Sequence, residues 1–201
     1  MTYIPSVVFD RRAGELWDKH GLTPGFNVDA LIDQLELSLL WEELADEAGM
    51  AVLGQLDPDE GRIILNERHL AALDANNGRL ARFTVAHEIG HWCFHCEAAR
   101  SGALSLFHKG RIWCRNGSQH IAERQAEMFA ARLLMPEHEV KRLLPRQLWA
   151  GWRHVYRLAD VFLASPTAMM IRLEELGVGY RDETGQPHSG TRPPLDQERL
   201  F

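Results

Sequence analysis

The chain has 201 residues, enough for one well-packed domain with appendages and short for two. A hydrophobic content of 45% and a charged content of 25% are those of an ordinary globular protein, and 28 acidic against 22 basic residues leave a net charge of −6. That balance argues against general binding to nucleic acid or an anionic membrane, so direct nucleic-acid binding is not expected.

The N-terminus, Met1 to Arg12, lacks the basic start and continuous apolar core of a signal peptide. No run approaches the ~18 apolar residues of a membrane span, so a cytoplasmic protein without membrane contact is expected. Its three Cys are then expected as thiols rather than a disulfide framework.

Residues 10–20 read as a short helix ended by Gly21, within an N-terminal extension over 1–26. Asn27 reads as an N-cap, with Val28, Leu31, Ile32 and Leu35 at helical spacing behind it. Leu37 to Ala48 could prolong that helix, or Leu37–Trp41 could be a strand. Met50–Leu56 and Arg62–Asn66 read as a β-hairpin across Asp57-Pro58-Asp59-Glu60-Gly61. From Asn27 to Glu60 there are ten acidic residues and no Lys or Arg, a solvated face.

Asn76-Asn77-Gly78 interrupts the chain before a helix over about 80–95, whose apolar Phe83, Ala86, Ile89, Gly90 and Cys93 predict one buried side. Residues 98–119 read mainly as loop with one short strand. Ser118 can cap a second helix over about 119–135, stopped by Pro136, with an apolar stripe of Ala122, Ala126, Phe129, Ala130 and Leu133. Residues 137–178 read as helical in pieces broken near Pro145 and Ser165-Pro166, with Gly177 as a C-cap, and the polar tail from 181 to 201 reads as disordered.

The first of these two helices carries His87-Glu88-Ile89-Gly90-His91. Residues four apart on a helix lie about 6 Å apart on nearly the same face, so both imidazoles can close on one Zn²⁺. Glu88, about 100° further round, is placed to take a proton from a metal-activated water rather than to ligate. The bland alternative is a surface helix with two solvated His. A catalytic zinc needs a third protein ligand. An extended motif ending in a third His fails, since Phe94 and Glu97 stand at the required positions. The second helix offers Glu123 and, four residues on, Glu127, which shares its face.

Arg82-Phe-Thr-Val-Ala-His-Glu-Ile-Gly-His91, followed by Glu123-Arg-Gln-Ala-Glu-Met-Phe-Ala-Ala-Arg-Leu-Leu-Met-Pro136, closely resembles the ImmA/IrrE family of zinc metallopeptidases. Gly61–Asn66, Leu158–Phe162 and Arg172–Gly177 extend the likeness over roughly 28–178. The resemblance implies an α+β fold: a small twisted sheet beside a zincin-like pair of metal-binding helices in a core over 27–136, then C-terminal helices over 137–180. It also implies a short helix at 28–36 followed by a strand. It identifies His87, His91 and Glu123 as zinc ligands and Glu88 as general base. Glu127, where the family commonly has Asn, is left a supporting hydrogen bond to a ligand, or competition for the metal.

The activity implied is site-specific cleavage of a DNA-binding, repressor-type regulator. With only about 26 residues ahead of the matched region, that regulator is expected to be supplied in trans. A different class of reading is a non-proteolytic, toxin–antitoxin-like partner that sequesters a regulator around a structural zinc. An extended substrate could add to a sheet edge formed by residues 62–66. His95, His108, His120 and Tyr156 are all candidates for stabilising an oxyanion. Cys93-Phe-His-Cys96 lacks the context of a redox pair, and Cys114 could gate the metal. The basic, aromatic stretch Val140–Ala159 and the faint helix-turn-helix likeness of 158–176 read as helices covering the core rather than as a nucleic-acid surface.

Overall fold

The computed structural model describes residues 4–46, 49–96, 112–115 (backbone) and 121–193. Helix α1, Ser6–His20, buries Phe9, Ala13, Leu16 and Trp17 along one stripe and ends at Gly21 in the left-handed conformation, φ 59°. The segment read as an extension is thus part of the core. Helix α2, Val28–Gln34, is capped by the Asn27 side chain, which accepts from the Asp29 N–H.

The chain then forms strands β1 (Ser38–Glu42), β2 (Val52–Asp57) and β3 (Arg62–Asn66), so the stretch after Leu37 is strand rather than continued helix. β2 and β3 form the expected antiparallel hairpin, and β1 pairs with β3 in parallel. With β4 (Ile112–Arg115) the sheet order is β1-β3-β2-β4. Residues 62–66 are therefore interior, with both backbone edges paired, and cannot accept an added strand. The edges among the described residues belong to β1 and β4. β3 sends Ile63 and Leu65 into the main core and Ile64 to a smaller cluster with Leu44 and Val52, the alternation of a sheet covered on both faces.

After a helical turn, α3 (Leu70–Leu73), comes the central helix α4, Ala75–His91. Asn76, Asn77 and Gly78 all have positive φ, so the regular helix begins after them, as the Asn-Asn-Gly sequence indicates. The expectation of one buried side is too narrow. Every residue from Thr84 to His91 is buried, because the sheet covers one flank of α4 and α5 (Ile121–Leu134) another. Trp92–Cys96 continues α4 as a π-turn. The Ser118 cap predicted for α5 lies outside the described residues.

Helices α6 (Glu137–Leu143), α7 (Trp152–Phe162) and α8 (Pro166–Glu175) follow. Ser165 caps α8, and Gly177 closes it in the left-handed region, φ 65°. Arg172 on α8 is buried and donates to Met135 O at 3.0 Å while pairing with Asp10 and Glu175. This ties α8 to α1 and to the end of α5. In the stretch Val140–Ala159, Trp149 and Val155 are buried, and Trp152 stacks on an exposed Tyr156.

The tail expectation fails up to residue 193. β5 (Gly179–Arg181) and β6 (Pro187–Ser189) form a hairpin, and Ser189 exchanges hydrogen bonds with Trp149. Those partners lie about forty residues away, so local composition does not reveal them.

Candidate metal centre

α4 presents His87 and His91 on one face, and α5 brings Glu123 against them. His87 Nε2 is 3.0 Å from His91 Nε2 and 3.2 Å from Glu123 Oε2, and His91 Nε2 is 3.4 Å from Glu123 Oε1. Donor atoms held tetrahedrally by one zinc stand about 3.3 Å apart, given bonds of about 2.0–2.1 Å. The three groups are 2%, 0% and 7% exposed. If each ring keeps its proton on Nδ1, two lone pairs face each other at 3.0 Å, an arrangement that a cation relieves. The chemistry and spacing of this donor set fit a metal ion.

The electrostatics point the same way. Burial pushes the His91 imidazole down to about 4, favouring the neutral ring. Burial pushes the Glu123 carboxyl up, but hydrogen bonds to His87 and His91 and their charges outweigh it, holding the group at about 2. A neutral imidazole and an ionised carboxylate are the forms that bind a metal.

Two glycines make the approach achievable. A Cβ on Gly90 would stand 3.1 Å from Ala126 Cα and from Phe129 Cδ1, so only glycine lets α5 come this close. A Cβ on Gly54 in β2 would stand 2.6 Å from Thr84 Cγ2 and 3.6 Å from Glu88 Oε1. Glu88 is fully buried, and its carboxylate lies against β2, off the face that carries the two His.

Glu127 goes elsewhere. It is exposed and stands outside the group formed by His87, His91 and Glu123. Of the oxyanion candidates, Tyr156 lies on α7 and is half exposed, while His108 and His120 lie outside the described residues. His95 is buried, with its Nδ1 3.0 Å from His91 Nδ1 and its Nε2 3.2 Å from Gln125 Oε1. Sequence reasoning missed Gln125. The only signal was its place two residues after Glu123 on the same helix. Cys96 is buried, and burial pushes its thiol up to about 12, which argues against redox chemistry. Cys114 sits in β4 opposite Gly54, and the gating role considered for its side chain lies outside the described residues.

A family model, Peptidase_M78, described as the IrrE N-terminal-like domain, matches residues 47–174. Among solved structures, a Mycobacterium tuberculosis transcriptional regulator is similar in fold, with a TM-score of 0.53 at 14% identity. The likeness covers 97% of this chain and 58% of that one, so the chain spans little more than half of that structure's length. No curated protein matches.

Proposed function

The chain belongs to the Peptidase_M78 family of IrrE N-terminal-like domains, and on that premise we propose that it is a cytoplasmic, zinc-dependent endopeptidase of the His-Glu-x-x-His type. The observation that carries this reading is the convergence of His87 Nε2, His91 Nε2 and the Glu123 carboxylate, three buried groups from two helices at the mutual spacing zinc requires. Among the described residues, no helix is long and apolar enough to cross a membrane.

His87, His91 and Glu123 would hold the ion, which supplies Lewis acidity and an activated water at neutral pH. Glu88, next in sequence to His87 and shielded by β2, takes the proton of the attacking water and passes it to the leaving amine. An extended substrate segment pairs along the outer edge of β4, the strand next to β2 on the side of the sheet nearer Glu88. This replaces the interior residues 62–66 as the rail.

The substrate we propose is a DNA-binding, repressor-type regulator supplied in trans, cut at one site. A sequestering protein with a structural zinc would have no use for a buried carboxylate beside His87. The test is co-expression of a candidate regulator with wild type and with Glu88→Gln. Cleavage by wild type alone supports the reading, and cleavage by both or by neither counts against it.

A further inference from the structure

His91 bonds onward from the side of its ring opposite Glu123. Its Nδ1 lies 3.0 Å from His95 Nδ1, and His95 Nε2 lies 3.2 Å from Gln125 Oε1. All three side chains are buried, at 0%, 4% and 5% exposure. His95 stands on the π-turn that extends α4, a local form frequent at functional sites. Gln125 stands on α5, the helix that also carries Glu123.

We infer that His95 and Gln125 are positioning residues: they hold His91 in the tautomer whose Nε2 lone pair faces the metal. This deepens the proposed zinc site and rests on it. An amide oxygen accepts and cannot donate, so Gln125 Oε1 requires the proton of His95 to sit on Nε2. His95 Nδ1 is then an acceptor, and it draws the His91 proton to Nδ1. His91 Nε2 is left with a lone pair, 3.4 Å from Glu123 Oε1 and 3.0 Å from His87 Nε2. Turning the Gln125 amide over would reverse every donor in the chain and place a proton on His91 Nε2, where it would block the metal. The Gln125 carbonyl therefore sets the register of the whole relay. Such outer hydrogen bonds orient ligand imidazoles and raise their basicity. Among the described residues His87 has no equivalent device, because its buried Nδ1 meets no hydrogen-bond partner there.

The test uses the full chain, with zinc affinity read by competition against a chromophoric chelator and ring tautomers read by ¹⁵N-histidine NMR of the zinc-loaded protein. Wild type should show His91 protonated on Nδ1 and His95 on Nε2. Gln125→Leu and His95→Phe should weaken zinc binding about 10–100-fold, while Gln125→Glu, which still accepts from His95, should stay within about threefold of wild type. The conservative variant separates positioning from packing. Unchanged zinc affinity in Gln125→Leu, or a wild-type spectrum with the His95 proton on Nδ1, overturns the relay. If wild type takes up no zinc, or His91→Ala still binds it, the metal centre itself fails and the relay with it. Wild-type zinc uptake that is lost in His91→Ala but unchanged in Gln125→Leu sinks the relay alone.

Discussion

Gly90 and Ala126 meet where the two ligand-bearing helices run closest: a Cβ on Gly90 would stand 3.1 Å from Ala126 Cα and 3.2 Å from its carbonyl oxygen. Glycine inside a helix costs roughly 0.5–1 kcal/mol relative to alanine, so Gly90→Ala would be favourable on an isolated helix. Here two of the three nearest atoms are Ala126 backbone and the third is the buried Phe129 ring, so α5 must move by a few tenths of an ångström to admit the methyl. Overpacking of this kind costs about 1–3 kcal/mol. The variant should melt a few degrees lower and bind zinc more weakly, since Glu123 moves with α5. A higher melting temperature with unchanged zinc affinity would show that this approach does not set the ligand spacing.

The two glutamates of α5 separate cleanly. Glu123 is 7% exposed and lies within 3.4 Å of both imidazoles, whereas Glu127 faces solvent. Glu123→Gln should lose tight zinc binding, because the amide cannot supply the ionised ligand. Glu127→Gln should keep zinc affinity and activity close to wild type. Metal analysis of the dialysed proteins decides between them, and a metal-free Glu127→Gln would return that residue to the site.

In the metal-free protein, burial holds His91 at about 4 against an ordinary 6.5. The unfolded chain therefore takes a proton that the folded one refuses. The stability associated with neutral His91 is fully present above pH 6.5 and is lost as pH falls toward 4, by ~1.4 kcal/mol per pH unit for one proton. Glu123, held at about 2 against 4.5, adds a further loss as pH falls through that lower window. Urea unfolding midpoints measured against pH, with a chelator present, should show the upper slope in wild type and lack it in His91→Phe. Parallel curves for the two proteins would contradict this.

Asn66 ends β3 fully buried and spends its amide on four contacts. Its Oδ1 accepts from Leu44 N at 2.9 Å and Arg68 N at 3.1 Å, and its Nδ2 donates to Leu44 O at 3.1 Å and Val52 O at 2.6 Å. These bonds hold the exit of β1 and the entry to β2 at the end of the inner strand. Asn66→Ala leaves several buried backbone groups unpaired, each worth about 1–3 kcal/mol, so it should unfold at markedly lower urea than wild type. A midpoint shift of less than about 1 kcal/mol equivalent would mean that water replaces the amide.

What could be read from the sequence was what is local. The His87–His91 spacing, the Asn27 cap, the hairpin across Asp57–Gly61 and the Asn76-Asn77-Gly78 break all follow from neighbours a few residues apart. The sheet order did not, because the parallel pairing of Ser38–Glu42 with Arg62–Asn66 spans the hairpin and carries no local mark. The hairpin at 179–189 carries no local mark for the same reason: its partner Trp149 lies before α7. Within the site, the sequence places His95 at a helix end, because periodicity cannot show that the helix continues as a π-turn beneath His91. Glu127 shows the opposite failure, a correct spacing on a face that turns to water.

Glu88→Gln tests the chemistry apart from the metal. The carboxylate is fully buried against β2, and the amide is nearly isosteric, so the variant should fold normally. None of the three grouped donors is altered, and zinc should bind with affinity close to wild type. Loss of a general base costs typically 10²–10⁴ in rate, so cleavage of the regulator should fall below detection in a co-expression assay. A protein that worked by sequestering its partner around a structural zinc would act equally well with glutamine at 88. Retained zinc with abolished cleavage would therefore separate the two classes of function, because it requires Glu88 to move a proton rather than to hold a fold.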